Sequence, residues 1–132
     1  MRNLKLFMLP AFVLVLAACS NNNKPEMVAG KFTRLLYTAN FEDAKAFCTE
    51  ESKQVVDFVA AFATQKVDEM KKADVKFEST ELKIADDGKS ADIIGVVKGA
   101  IDLKSGEIKD STDTKLHLVK QNEKWLVDYK LK

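Results

Sequence analysis

The spacing of apolar residues divides the chain into a first half with a helical period and a second half with a strand period. Pro25 suits the first position of a helix, where its missing N–H costs nothing. This helix ends near Asn40, and a short second helix covers 41–48. Five apolar residues of the first helix form one stripe at the 3.6-residue period: Val28, Phe32, Leu35, Leu36 and Ala39.

A third helix is predicted from Thr49 to about Lys72. Thr49 can cap it, and Glu50 and Glu51 then face the positive end of the helix dipole. Its apolar face is broad enough to contact both the first helix and a sheet. That face comprises Val55, Phe58, Val59 and Phe62, followed by Ala63, Val67 and Met70. Lys66 projects from within the face, either as a lysine that extends past its neighbours to water or as a charge at the mouth of a cavity.

After Ala73 the apolar period changes to two, which is the period of β-strands. The four predicted strands are 74–85, 90–104, 109–120 and 124–132. The turns between them are short, and in "DDGK" Gly88 suits a positive φ. Parallel neighbours would need long crossovers, so the strands form an antiparallel meander. Alternation in the first strand changes midway, which a bulge near Ser79 would reconcile.

Alternation also assigns the strand residues to two faces. The inner face, which the helices cover, contains Ile93, Val97, Ile101, Thr114, Leu116, Leu118, Trp125, Val127, Tyr129 and Leu131. Two glycines, Gly95 and Gly99, lie on the same face and either leave room for a ligand or permit a bend in a long strand. The outer face is more apolar than a solvent-exposed sheet face should be, because it carries Ile94, Val96, Val119 and Leu126.

A different kind of segment precedes the first helix. Arg2 and Lys5 are followed by an apolar run, 6–18, that is shorter than the ~20 residues of a membrane-spanning helix. Charge and length fit a secretory signal, and the "LAAC" that ends at Cys19 resembles the bacterial lipobox. The resemblance implies cleavage after residue 18, a diacylglycerol thioether on Cys19 and a lipidated tether over 19–24. The lipid would anchor the protein in the bacterial envelope, and Ser20, which is not Asp, favours the outer membrane facing the periplasm.

The order of elements over 25–132 resembles the cone-shaped nuclear transport factor 2-like fold, which is also grouped as cystatin-like. More closely, the chain is similar to small Gram-negative lipoproteins of an uncharacterised family with a domain of unknown function. The segments that match are "PEMVAGKFTRLLYTANFEDAKAFCTEES", "DDGKSADI" and "KQNEKWLVDY". The resemblance implies one α+β domain, with N-terminal helices packed on a curved four-stranded antiparallel meander. It supplies no catalytic residues.

Candidate chemistry is sparse in this sequence. No paired-carboxylate, triad, phosphate-loop or metal-ligand spacing is present, so we assign no catalytic residues, metal or cofactor. His117 alternates onto the outer face, and Tyr37 lies roughly opposite the apolar stripe of its helix. Cys48 is either a small buried residue or a thiol with a redox or intermolecular role. The 21 basic and 20 acidic residues nearly balance, which gives no electrostatic reason to expect nucleic acid.

Two non-enzymatic functions follow. The first is a protein-interaction module on the envelope, which would use Ile94, Val96, Val119 and Leu126 to form a homodimer or to bind an envelope protein. The alternative is a small-molecule or lipid binder with a cavity between helices and sheet. The candidate lining of that cavity is Phe58, Phe62, Lys66, Gly95, Gly99, Trp125 and Tyr129, and its ligand is unknown. Trp125 is also predicted to be a core anchor.

Overall fold

A computed structural model describes residues 24–102 and 107–130, in which helices cover one face of an antiparallel sheet. The helices are α1 (Pro25–Tyr37), α2 (Phe41–Ala44), α3 (Glu50–Phe62) and α4 (Val67–Lys72), with single 3-10 turns at Lys45–Phe47 and Thr64–Lys66. The strands are β1 (Lys76–Ile84), β2 (Ser90–Lys98), β3 (Thr112–Gln121) and β4 (Lys124–Asp128). Their order in the sheet is β1-β2-β3-β4, so the predicted α+β meander is confirmed.

Some sequence predictions fall outside this description. The signal segment 1–18, Cys19 and the tether up to residue 23 lie outside the described residues, as do Leu131 and the turn that joins β2 to β3. Within residues 24–102 and 107–130, no helix has the length and apolar character that a membrane crossing requires.

Helix α1 lies across the sheet and supplies much of the core. Pro25 occupies its first turn, as the sequence predicts. Its apolar stripe is buried against the strands, with Phe32 fully buried and Leu35 half-buried. The Phe32 ring meets the ring of Tyr129 edge-on, with 5.2 Å between the centroids. The contact links the middle of α1 to the end of β4.

Thr49 caps α3 and also ties the helix to the sheet. Its side-chain oxygen accepts a hydrogen bond from the Ser52 backbone N–H at 3.3 Å. The Ser52 hydroxyl in turn accepts from the backbone N–H of Tyr129 at 2.7 Å. Because both hydroxyls are buried and paired with each other, the N-terminus of α3 is fixed at the end of β4.

The prediction of one continuous third helix is wrong. Helix α3 ends at Phe62, and the chain bends through a 3-10 turn before α4. The bend lets Ala63 and Met70 pack with Ala39 and Ile101 in a second apolar cluster. The buried face of α3 is also rotated from the predicted one, and consists of Ser52, Val56 and Val59. A continuous helix would carry Met70 away from this cluster.

The predicted strand faces hold with two changes. A register shift between Ser79 and Glu81 is the expected bulge, and it places both Phe77 and Leu82 on the helix-covered side. Strand β2 is shorter than predicted, because Gly99 has φ 78° and leaves the extended conformation. Beyond this glycine, Ile101 pairs with Ile108 in an isolated antiparallel bridge.

Neither inner-face glycine leaves room for a ligand. A Cβ on Gly95 would lie 2.6 Å from the Phe77 ring and 2.7 Å from the Glu78 carbonyl oxygen. Phe77 also touches Gly30 of α1, where a Cβ would lie 3.6 Å away. The Phe77 ring therefore lies between two glycines. It fills the space that a side chain at Gly95 would occupy on the sheet. Gly99 instead permits a close approach of two backbone segments, since a Cβ there would lie 2.5 Å from the Asp74 carbonyl oxygen.

Candidate functional site

A cavity of about 690 Å³ lies between the helices and one end of the sheet. It forms where the C-terminal end of α1, the bend after α3 and the hairpin beyond β2 meet. Its lining is Leu36, Tyr37, Phe58, Val59, Phe62, Met70, Val97, Ala100, Ile101, Asp102, Lys109, Thr112, Asp113 and Tyr129. Its volume is within the range of about 300–1,000 Å³ that is usual for small-molecule sites.

Two aromatic rings of α3 mark the opening of this cavity to solvent. Phe58 and Phe62 lie one helical turn apart and are 59% and 63% exposed. Both line the cavity, whereas the buried face of the same helix packs on the core. Large apolar side chains with this exposure leave apolar area in water unless a ligand or partner covers them.

Polar groups enter the lining from the other elements. Tyr37 comes from the end of α1, Tyr129 follows β4, and Asp102 and Lys109 face each other across the hairpin beyond β2. The Lys109 ammonium lies 3.9 Å from the Asp102 carboxylate. Backbone hydrogen bonds hold this hairpin in place, including one from the Lys109 N–H to the Ala100 carbonyl at 2.9 Å.

Both tyrosine hydroxyls keep their protons at any physiological pH. Burial raises the pKa of Tyr37, and the negative charge of Asp102 raises it further. Burial raises the pKa of Tyr129 to about 12, with a smaller contribution from Tyr37. Tyr129, Tyr37 and Asp102 all line the cavity. The two phenols are neutral hydrogen-bonding groups there.

Of the predicted lining residues, Phe58, Phe62 and Tyr129 line the cavity. Trp125 lies in the core and is only 3% exposed. Gly95 is buried under the Phe77 ring, Gly99 forms the strand exit, and Lys66 lies in the 3-10 turn outside the lining.

Sequence reasoning missed Tyr37, Asp102 and Lys109. Tyr37 lies opposite the stripe of its helix, but it packs against the apolar cluster of Val75, Val97 and Ala100 at the end of β2. In the sequence, the only indication was that Tyr37 directly follows the core residue Leu36.

The outer face of the sheet carries the four residues of the predicted interface as two separate pairs. Val119 and Leu126 are cross-strand neighbours at one end. Ile94, which is 38% exposed, and Val96 lie at the other end. Between the pairs, the Nδ1–H of the His117 ring donates a hydrogen bond to the Asp92 carboxylate at 2.8 Å. His117 is thus on the outer face, as predicted, and the four residues do not form one continuous apolar patch.

Cys48 has the environment of a structural residue. It is 3% exposed and pairs with Val127 in a parallel bridge to the end of the sheet. Burial raises the pKa of its thiol to about 11. Among residues 24–102 and 107–130, no three His, Cys, Asp or Glu side chains are grouped closely enough to hold a metal ion.

Comparison with solved structures assigns this architecture to a known fold. The chain superimposes on a candidate NTF2-like transpeptidase from Campylobacter jejuni with a TM-score of 0.56, at 21% identity, over 81% of this chain and 99% of the other. The fold is NTF2-like. A SEC-C motif-containing protein from Rhodopseudomonas palustris also matches this fold, with a TM-score of 0.58 and 12% identity over 86% of this chain and 82% of the other. No family model and no curated protein matches this chain.

Proposed function

We propose that this protein is an envelope lipoprotein whose NTF2-like domain binds a small, mainly apolar molecule in the cavity between helices and sheet. The observation that carries the proposal is the aromatic opening, because Phe58 and Phe62 leave more than half of their surface in water beside an apolar cavity. A bound molecule that covers both rings would remove apolar area from water at about 25 cal/mol per Å².

The titratable groups of the cavity support binding rather than catalysis. A general acid or base works best when its pKa lies near the operating pH. Tyr37 and Tyr129 have raised pKa values, and the Asp102 carboxylate is paired with Lys109. This arrangement offers fixed hydrogen-bonding groups and gives no support for proton transfer at neutral pH.

The Campylobacter jejuni neighbour is named for transpeptidase activity, but we do not propose that activity for this chain. A cysteine nucleophile would have to be accessible and easily deprotonated. Cys48, the cysteine among the described residues, is buried and its thiol pKa is raised.

Removal of the aromatic opening should weaken apolar ligands. In a Phe58→Ala/Phe62→Ala variant, the affinity for the neutral dye Nile red should fall about ten-fold or more, because the rings that cover it are lost. The measurement is a fluorescence titration of the purified protein. A Met27→Ala/Ile84→Ala variant is the matched control, since it removes two exposed apolar side chains outside the cavity. Equal loss in both variants, or no saturable binding by the wild type, would contradict the proposal.

The envelope location is supported by the sequence around Cys19. When expressed in a Gram-negative host, the protein should incorporate labelled palmitate and sediment with membranes, because acyl chains on this cysteine would hold it there. The change Cys19→Ala should abolish labelling, whereas Cys48→Ala should leave it intact. Labelling that persists in Cys19→Ala would exclude lipidation at this site.

The interaction-module hypothesis and the homodimer stay predictions. Their support is the partial exposure of Ile94 and its neighbour Val96 on the outer face. The four outer-face residues are divided into two separate pairs. Neither pair exposes as much apolar surface in one place as Phe58 and Phe62 do at the cavity opening. We therefore give priority to ligand binding.

A further inference from the structure

The lining of the cavity is entirely apolar on one side and mixed polar and apolar on the other. Helices α3 and α4 contribute only apolar side chains, namely Phe58, Val59, Phe62 and Met70. The polar side chains enter from the end of α1, from the residue after β4, from the hairpin beyond β2 and from the start of β3. A ligand that satisfies both sides must be amphipathic.

The charges of the lining restrict the polar part of that ligand. Asp102 and Lys109 offset each other at 3.9 Å. Asp113 is exposed at the rim, where it pairs in register with Val96 of β2. A cationic head could meet the Asp113 carboxylate only at this rim. An ionic head that moved further, to the tyrosines, would have to leave water or displace a partner from the Asp102–Lys109 pair. Either event costs free energy that an uncharged head does not lose.

The tyrosines fit an uncharged head. Each phenol donates one hydrogen bond and accepts others, and neither ionises at physiological pH. Tyr129 is further fixed by its ring contact with Phe32 and by the hydrogen bond from its backbone N–H to Ser52. A hydroxyl, ester or amide group can pair with such hydroxyls without any change of charge.

We propose that the cavity selects an uncharged amphipathic molecule, with its hydroxyl, ester or amide head against Tyr37 and Tyr129 and its aromatic or aliphatic body against Phe58 and Phe62. This inference rests on the proposed binding function and goes further by naming the class of ligand. Because the charges of Asp102 and Lys109 offset each other, charged analogues of the same body should bind more weakly.

Four probes that share one body test the inference on the purified protein: para-butylbenzyl alcohol, para-butylbenzoate, para-butylbenzylammonium and para-butyltoluene. Each competes with Nile red in a fluorescence titration. The alcohol should bind at least ten-fold more tightly than either ion. In Tyr37→Phe and in Tyr129→Phe, the ratio of alcohol to toluene affinity should fall about five-fold, the effect of one hydrogen bond.

A charge variant separates selectivity from a general loss of structure. Lys109→Met leaves Asp102 without this cation and should shift the preference toward the ammonium probe, an effect that a merely loosened fold would not produce. If an ionic probe binds the wild type as tightly as the alcohol, the inference is overturned while cavity binding stands. If neither Nile red nor any of the four probes binds, the proposed function fails and the inference fails with it.

Discussion

Truncation of Trp125 to alanine should lower the free energy of unfolding by about 3–5 kcal/mol, which is typical of a fully packed aromatic ring. Trp125 is buried on the inner face of β4, in the same apolar cluster as Phe32 and Leu118. The Lys120 ammonium lies over the ring, 5.7 Å from its centre, in a cation–π contact. Because small domains have only about 5–15 kcal/mol of stability in total, this loss is a large share of it.

Chemical denaturation followed by circular dichroism measures the effect of Trp125→Ala. The matched control is Leu126→Ala, the next residue on the same strand, which points to the outer face and is only half-buried. Leu126→Ala should lower the free energy of unfolding far less, since much of the Leu126 side chain is already in water. A Trp125→Ala variant that loses no more stability than Leu126→Ala would show that the ring is not a core anchor.

Gly95→Val should also destabilise the fold, by about 2 kcal/mol or more. Valine suits a strand better than glycine does, so if the space at this position were open, Gly95→Val would stabilise the fold. The space is not open, because a Cβ would lie 2.6 Å from the Phe77 ring and 2.7 Å from the Glu78 carbonyl oxygen. The ring could move, but the carbonyl belongs to the backbone of the paired strand β1, so overpacking results. The sequence predicts that this clash is with the third helix, near Phe58 or Phe62. In the structure the clash is with Phe77 of β1.

The control for Gly95 lies on the other side of the same ring. A Cβ on Gly30 would meet Phe77 at 3.6 Å, which is an ordinary contact, and Gly30 lies inside helix α1. Gly30→Ala should therefore be neutral or stabilise the protein by up to about 1 kcal/mol, through helix propensity. Thermal melts of both variants give the comparison. A Gly95→Val protein that melts at or above the wild-type temperature would refute the packing of Phe77 between the two glycines.

Features that depend on the spacing of nearby residues could be predicted from the sequence. The stripe of α1, the Thr49 cap and the order of the four strands follow from residues that are close together in the chain. The bulge near Ser79 was visible as a change of alternation, because a period of two leaves no other way to keep Phe77 and Leu82 on one face.

Which residues form the cavity depends on contacts between distant parts of the chain. Tyr37, Asp102 and Tyr129 come from three separate parts of the chain, and no periodicity within one element can show that they meet. The bend after Phe62 is decided in the same way, because it follows from the packing of Met70 with Ile101 and Ala39. Trp125 and Gly95 share the inner face with the cavity, but they lie where α1 covers the sheet. Alternation along a strand determines which residues lie on each face of the sheet. Contacts with helices that are distant in the chain determine which part of the inner face remains uncovered.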